Sequence, residues 1–307
     1  MAAGERSVFV TGATGLVGAR LCEKLVAGGD RVLAHRRGPP PTARVPGLTW
    51  VAGDLSSPGE WESALAESDA VVHLAGASIV AGRWTPARKR ELRASRIATT
   101  QSLVEAMARC SSPPSALVCA SASGYYGARG AEILEEGAAP GGDFLADLCV
   151  DWEAAALGAQ EVGARVVRLR FGAILSRRSG VLASVLPLYR LGLGGALGSP
   201  ASYFPWLHED DATGLIAFAL AGGAGEASVL NAGAPQCVTM GEWARTLGRV
   251  LKRPALFRVP EVALRLAFGE MGDALVAGQR MVPEAALSGG YDFAYPELEG
   301  ALEALCG

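Results

Sequence analysis

The chain has 307 residues, of which 50% are hydrophobic and 19% are charged, with a formal net charge of −3. This length is sufficient for one large domain with a smaller lobe, and the 40 glycines and 17 prolines are too few for a low-complexity chain. The nearly balanced charge argues against a nucleic-acid-binding protein, because those proteins usually carry a strongly basic face.

Cysteine, histidine and the charge distribution narrow the class of protein further. The six cysteines contain no C-x-x-C pair, which is typical of reduced thiols in a chain of this size. The three histidines fit no metal-ligand spacing, so we expect no metal site. Residues 1–6 carry charge and no apolar stretch, and the longest uncharged run, 110–128, contains two prolines. We therefore expect a soluble, cytoplasmic protein without a signal peptide or membrane contact.

Short apolar runs alternate with helical patterns through the first half of the chain. The predicted strands are residues 7–10, 31–34, 48–52, 70–74, 115–120 and 165–169. The predicted helices between them are residues 16–27, 61–66, 88–110 and 147–162. Strands separated by helices are typical of βαβ units, so the predicted fold class is α/β with a doubly wound parallel sheet.

The second half of the chain has a different pattern. Residues 189–205 are rich in glycine and proline and are predicted to form a long irregular loop, of a kind that is usually functional. Further on, helices are predicted at residues 212–221, 240–251, 261–268 and 274–282, and a strand at 228–231.

A glycine-rich turn joins the first predicted strand to the first predicted helix. It reads TGATGLVG over residues 11–18. In such a turn Gly12 permits the tight bend, Gly15 lets a phosphate approach the backbone, and Gly18 allows close packing of the helix on the strand. The free N–H groups at the start of the helix then face a pyrophosphate. The residues predicted to contact it are Gly12, Thr14, Gly15, Leu16, Val17 and Gly18; an ordinary loop is the alternative.

The residues after the next two strands indicate which nucleotide binds. NAD-binding proteins usually carry an acidic residue after the second strand, whereas this chain has Arg36 and Arg37, which suit the 2′-phosphate of NADP. A solvated basic turn is the alternative. Asp54 is predicted to contact the adenine edge or, alternatively, to cap the next helix. Residues predicted to pass under the cofactor are Leu74, Ala75 and Gly76.

The motifs TGATGLVG, GDL, HLAG and SASGYYG, in this order, resemble those of the extended short-chain dehydrogenase/reductases, the group of the nucleotide-sugar epimerases. The chain is more similar still to an atypical branch of that group, the epimerase-like family. Features shared with that branch are Arg83-Trp84, Ser95-Arg96, Trp152-Glu153, the segments 191–195 and 204–208, and Gly278-Gln279-Arg280 in a C-terminal domain of unknown function. The resemblance covers essentially the whole chain.

This resemblance implies a Rossmann domain that binds NADP(H) and a smaller, mostly helical C-terminal substrate lobe. We assign residues 1–175 to the Rossmann domain, with 212–235 returning to it, and residues 176–307 to the lobe. The resemblance also implies that Glu91 and Arg96, on the long helix, face the cofactor. A surface position for Arg96 is the alternative.

The catalytic pair of the working relatives is missing. They use a tyrosine and a lysine spaced Y-x-x-x-K, and the alignment on Glu153 places Leu145 and Cys149 at those two positions. The predicted catalytic residues are therefore Ser123, Tyr125 and Tyr126, after the fifth strand, where α/β proteins hold their sites. In this prediction a tyrosine donates a proton and Ser123 is its hydrogen-bond partner. The alternative is that the serines cap a loop and the tyrosines pack against the lobe.

Two functional hypotheses follow. The first is an NADP(H)-dependent oxidoreductase or epimerase that acts on an unidentified small hydroxyl or carbonyl compound, including a nucleotide-linked sugar. The alternative is a catalytically silent NADP(H)-binding sensor or scaffold protein, which the missing Tyr/Lys pair favours. The expected partners are a small-molecule substrate and, by analogy with proteins of the same fold, a second copy in a homodimer. No nucleic acid is expected.

Overall fold

The computed structural model describes residues 6–39, 41 and 45–307. Residues 1–5, on which the expected absence of a signal peptide partly rests, lie outside the described residues. The main sheet consists of β1 (Ser7–Thr11), β2 (Arg31–Arg36), β3 (Leu48–Ala52), β4 (Ala70–His73), β5 (Ala116–Ala122), β7 (Arg165–Phe171) and β12 (Val229–Ala232); β6 (Ile133–Leu134) lies outside it. The helices of this part of the chain are α1 (Leu16–Ala27), α2 (Trp61–Ala66), α3 (Pro86–Arg93), α4 (Thr99–Arg109), α5 (Phe144–Leu157) and α7 (Glu209–Leu220).

The strands of the main sheet are parallel. In the described part of the chain their order is β12-β7-β5-β4-β1-β2-β3, so the order reverses between β1 and β4. Doubly wound sheets bind their ligands at such a reversal, outside the carboxyl ends of the strands. The predicted parallel sheet is confirmed.

Alternate residues of the central strands bury opposite faces of the sheet. Val8 and Val10 of β1 lie in one apolar core together with α1 and α7, whereas Phe9 between them lies in a second core. The second core contains apolar side chains of α2, α4 and α5, including Trp61. Because both faces are covered by helices, these strands are almost continuously apolar, as buried parallel strands usually are.

The predicted long helix over residues 88–110 contains an irregular turn. Residues 94–98 form a π-helical segment between α3 and α4. Such segments occur frequently at functional sites, because the widened turn changes where side chains point. Here the segment carries Arg96, which is buried although it is an arginine.

The second half of the chain returns to the main sheet through α7 and β12 and otherwise builds a smaller lobe with its own core. The lobe contains α6 (Gly180–Arg190), α8 (Met240–Val250), α9 (Glu261–Phe268), α10 (Glu270–Val276), α11 (Glu284–Ser288) and α12 (Leu298–Cys306). Its short strands are β8 (Ala173–Leu175), β9 (Gly195–Leu197), β10 (Tyr203–Phe204), β11 (Trp206–His208), β13 (Val238–Thr239), β14 (Phe257–Val259) and β15 (Arg280–Met281). The core joins α6, α8 and α12 around Trp243, which is fully buried.

Two predictions for this lobe were wrong. Residues 189–205, predicted to be an irregular loop, contain the end of α6 and the strands β9 and β10, which pair with β14 and β13. The helix predicted at 274–282 ends instead at Val276, and β15 follows at Arg280 and pairs with β6. Each of these strands has only two or three residues and pairs with a distant segment, so local periodicity does not reveal it. Among the described residues, no helix has both the length and the apolarity needed to cross a membrane.

Candidate cofactor groove and active-site cavity

The glycine turn after β1 is closely packed on all sides. Gly12 has a φ of +67°, and a Cβ there would lie 2.8 Å from the backbone carbonyl of Leu74. A Cβ on Gly18 would lie 2.2 Å from the carbonyl oxygen of Gly12. These contacts require glycine at both positions and bring α1 directly against β1.

The start of α1 is open to an anion. No side chain caps this helix at Gly15, and no acidic residue occupies its first turn. The first N–H groups of α1, including those of Leu16 and Val17, therefore keep the positive end of the helix dipole available for a phosphate. Leu16, Val17 and Gly18 shape this helix end but do not line the groove described next.

A groove of about 430 Å³ runs from this turn across the carboxyl ends of β2, β3 and β4. We call it the nucleotide groove. Its lining includes ten of the residues predicted to bind the cofactor, namely Gly12, Thr14, Gly15, Arg36, Arg37, Asp54, Leu74, Ala75, Gly76 and Glu91. Glu91 is exposed and forms an ion pair with Arg88 at 2.6 Å. The structure thus brings the predicted nucleotide residues together along one surface.

The arginine end of the groove suits a phosphate. The Arg36 guanidinium lies 5.8 Å from the ring of Trp50, and its Nε is buried without a hydrogen-bond partner among the described residues. Arg37 is exposed beside it. A buried donor without a partner is costly, and a bound 2′-phosphate would satisfy it.

Asp54 makes a local turn. Its carboxylate accepts hydrogen bonds from the backbone N–H and the hydroxyl of Ser56, which lower the pKa of Asp54. The side chain does not cap α2, whose N-cap is Glu60. Asp54 is exposed at the rim of the groove, so contact with an adenine remains a prediction.

Arg96 lies where the nucleotide groove ends. A Cβ on Gly76 would lie 3.1 Å from the Arg96 guanidinium carbon, which itself stands 5.2 Å from the ring of Trp152. Burial lowers the pKa of Arg96 to about 10, so the side chain is still protonated at neutral pH. It forms no ion pair with a described residue. The surface position considered for Arg96 is therefore wrong.

Beyond Arg96 the groove adjoins a second space of about 400 Å³, the central cavity, between the main sheet and the smaller lobe. Ser123 lines this cavity at the end of β5, together with Leu145 and Cys149 of α5. The Ser123 hydroxyl makes no hydrogen bond to a described residue, so it is available to a ligand. Leu145 and Cys149 confirm that apolar groups stand where the relatives' Tyr/Lys pair was sought.

The two predicted catalytic tyrosines lie outside this cavity. The Tyr126 hydroxyl is buried, donates to Asn231 at 2.6 Å and accepts from Arg170 at 3.0 Å. Burial raises its pKa above the usual range. The ring of Tyr125 is covered by the Arg170 guanidinium at 3.4 Å. Neither ring lines the cavity, so these contacts favour the packing alternative for both tyrosines.

Tyr203 was missed as a cavity residue. It lies in β10, within the segment predicted to be irregular, and lines the central cavity. Arg280 covers the ring at 5.1 Å, and the Tyr203 hydroxyl has no hydrogen-bond partner among the described residues. Its short strand and distant pairing left no signal in the sequence.

Comparisons with known proteins agree with this architecture. The family model described as the NAD dependent epimerase/dehydratase family matches residues 8–233, and the Domain of unknown function (DUF1731) matches residues 259–305.

Individual relatives extend the match over nearly the whole chain. The Epimerase family protein SDR39U1 homolog, chloroplastic, of Arabidopsis thaliana is 36% identical over 98% of this chain and 87% of its own length. The Epimerase family protein Mb2239 of Mycobacterium bovis is 38% identical over 96% of both chains. The crystal structure of the human epimerase family protein SDR39U1 with NADPH superposes with a TM-score of 0.86 and 32% identity, covering 97% of this chain and 98% of the human one. This chain therefore belongs to the NAD dependent epimerase/dehydratase family.

Proposed function

We propose that this protein is an NADP(H)-dependent oxidoreductase or epimerase that acts on a small hydroxyl or carbonyl compound. The observation that carries the proposal is the junction of the nucleotide groove with the central cavity at Gly76 and Arg96. A cofactor in the groove would present its reactive end to whatever the cavity holds. When bound, NADP(H) supplies hydride transfer at the nicotinamide C4.

The groove residues suit NADP(H) in three ways. The open start of α1 and the close-packed Gly12 turn accept a pyrophosphate. The partnerless Nε of Arg36, with Arg37 beside it, suits the 2′-phosphate. The human relative solved with NADPH supports the same cofactor.

In the cavity, we assign Ser123 to the substrate oxygen. Its free hydroxyl lies at the carboxyl end of β5 and can donate a hydrogen bond to a carbonyl or alkoxide oxygen there. Arg96 places a buried positive charge near Cys149, the position aligned with the relatives' lysine. We assign to Arg96 the electrostatic part of that lysine's role. Tyr203, whose hydroxyl is also free, is the cavity tyrosine available for the proton.

Calorimetric titration tests the cofactor assignment. In wild type we expect NADPH to bind more tightly than NADH. Since a charge-assisted hydrogen bond contributes about 1.5–3 kcal/mol, Arg36→Ala/Arg37→Ala should weaken NADPH binding by roughly 10- to 100-fold and leave NADH binding unchanged. Arg249→Ala, an exposed arginine paired with Glu299, is the matched control. Wild type that binds neither cofactor, or prefers NADH, would overturn the assignment.

Transfer of deuterium from C4-labelled NADPH to a panel of carbonyl compounds tests the activity. Ser123→Ala should lower the transfer rate by roughly 10- to 100-fold, the value of one hydrogen bond to a developing charge, while NADPH affinity holds. Tight NADPH binding with no transfer to any compound would instead favour a silent sensor.

A further inference from the structure

The central cavity is apolar over most of its wall. Apolar side chains approach it from the sheet, from α5 and from the smaller lobe, including Phe171, Leu145, Val181, Leu197, Phe204 and Met240. A volume of about 400 Å³ is within the range of sites for small molecules. A ligand that fills this space gains chiefly from removing apolar surface from water.

Several polar groups at the cavity are already engaged with the protein. The Asp143 carboxylate caps α5 by accepting from the backbone N–H of Ala146 at 2.9 Å. The Gln279 amide donates to the carbonyl of Gly127 at 3.1 Å and is buried. The hydroxyls of Ser123 and Tyr203 remain free, which is sufficient for one or two polar groups on a ligand.

Positive charge is concentrated at the cofactor end of the cavity. Among the described lining residues, Arg96 is the sole Arg, Lys or His, and it lies against Gly76 of the nucleotide groove. Met240 lines the cavity at the start of α8, but a capping box of Thr239 and Glu242 already satisfies that helix end and adds a negative charge. A diphosphate at the far side would lack a compensating cation, and burying an unpaired charge costs several kcal/mol.

We propose that the substrate is a small, mostly apolar ketone, aldehyde or secondary alcohol with one polar group, and that nucleotide-linked sugars are excluded. This inference rests on the proposed function. In the reduction direction the carbonyl carbon accepts the hydride of NADPH and the carbonyl oxygen accepts a proton. The carbonyl becomes an alcohol, and NADPH is oxidised to NADP⁺.

Binding to the NADPH-saturated protein tests the substrate class. The apolar probes are acetophenone, cyclohexanone and decanal, and the polar probe is UDP-glucose, each titrated by calorimetry. We expect at least one apolar probe to bind and UDP-glucose to bind at least tenfold more weakly. Val181→Thr, which replaces a methyl by a hydroxyl at nearly constant volume, should weaken the apolar probe by roughly three- to tenfold. Leu197→Asn should weaken it further.

Matched controls separate this proposal from the cofactor assignment. Val262→Thr, on the exposed face of α9 outside the cavity, should leave probe binding unchanged. NADPH affinity should hold in all three variants, since none of these residues lines the nucleotide groove. Loss of NADPH binding in wild type would instead defeat the proposed function.

The contrary results are equally specific. The inference is overturned if no apolar probe binds the NADPH-loaded protein, or if UDP-glucose binds as tightly as the best of them. In the second case, Arg177→Ala/Arg178→Ala would show whether the exposed arginines before α6 hold the diphosphate.

Discussion

The Thr11 hydroxyl lies 2.8 Å from Nδ1 of His73 and joins the carboxyl ends of β1 and β4. The same oxygen accepts hydrogen bonds from the backbone N–H groups of Leu74 and Ala75, at 3.1 and 3.2 Å. One threonine side chain thus fixes the backbone on which the Gly12 turn packs. The floor of the nucleotide groove depends on a histidine that the sequence analysis assigned no role.

Acid should weaken this arrangement through His73. The ring is fully buried, and burial lowers its pKa to about 3. An unfolded chain protonates its histidines near pH 6.5, so below that pH the unfolded state binds more protons than the native one. Stability is therefore fully present above about pH 6.5 and falls as the pH falls towards 3, by up to about 1.4 kcal/mol per pH unit from this residue. The pKa values of His35 and His208 are also lowered by burial and act in the same direction.

Urea denaturation between about pH 7 and pH 5 measures this slope. His73→Asn removes the titrating group while keeping a polar side chain for Thr11. We expect the variant to be less stable at pH 7 but to lose less stability on acidification. An equal slope in both proteins would show that His73 does not carry the effect.

The two tyrosines of SASGYYG should differ in their effect on stability. Tyr126→Phe removes a hydroxyl bound to Asn231 and Arg170, leaving buried polar partners unsatisfied, so we expect a loss of about 1–3 kcal/mol. Tyr125→Phe keeps the ring that covers Arg170 and should be nearly neutral. Chemical denaturation of both variants measures the difference. A stable Tyr126→Phe protein with greatly reduced hydride transfer would restore the catalytic assignment of that tyrosine.

The sequence predicted the sheet and most of the groove because both depend on local patterns. A glycine turn between a strand and a helix, and arginines at a strand end, act through their own backbone and their neighbours in sequence. Tyr203 and the pairing of Thr11 with His73 depend on segments far apart in the chain. The covering of Tyr125 and Tyr126 by Arg170 is likewise a tertiary contact. Such contacts decide which of several candidate side chains reach the cavity.

Glu153 anchors a buried charge network behind the site. Its carboxylate accepts from Arg170 at 2.8 and 2.9 Å and from the Ser121 hydroxyl at 2.7 Å, with Arg168 at 3.3 Å. Glu153→Gln leaves two arginines without their counter-charge, so we expect a loss of about 3–5 kcal/mol in the free energy of unfolding. Glu299→Gln, which breaks an exposed pair with Arg249, should cost less than about 1 kcal/mol. Similar losses in the two variants would contradict the network's importance.

Cys149 should be chemically inert although it lines the cavity. Burial raises its pKa to about 12, and the nearby charge of Arg96 offsets this only in part. Against an ordinary value of 9.0, the thiolate fraction at pH 8 is lower by roughly a thousandfold, and the thiolate is the reactive form. Timed alkylation with iodoacetamide, followed by mass spectrometry, should therefore modify the half-buried Cys110, Cys237 and Cys306 before Cys149. Urea should bring all these rates together. Rapid alkylation of Cys149 in the native protein, suppressed by NADPH, would mean that Arg96 activates this thiol and that cysteine chemistry belongs in the mechanism.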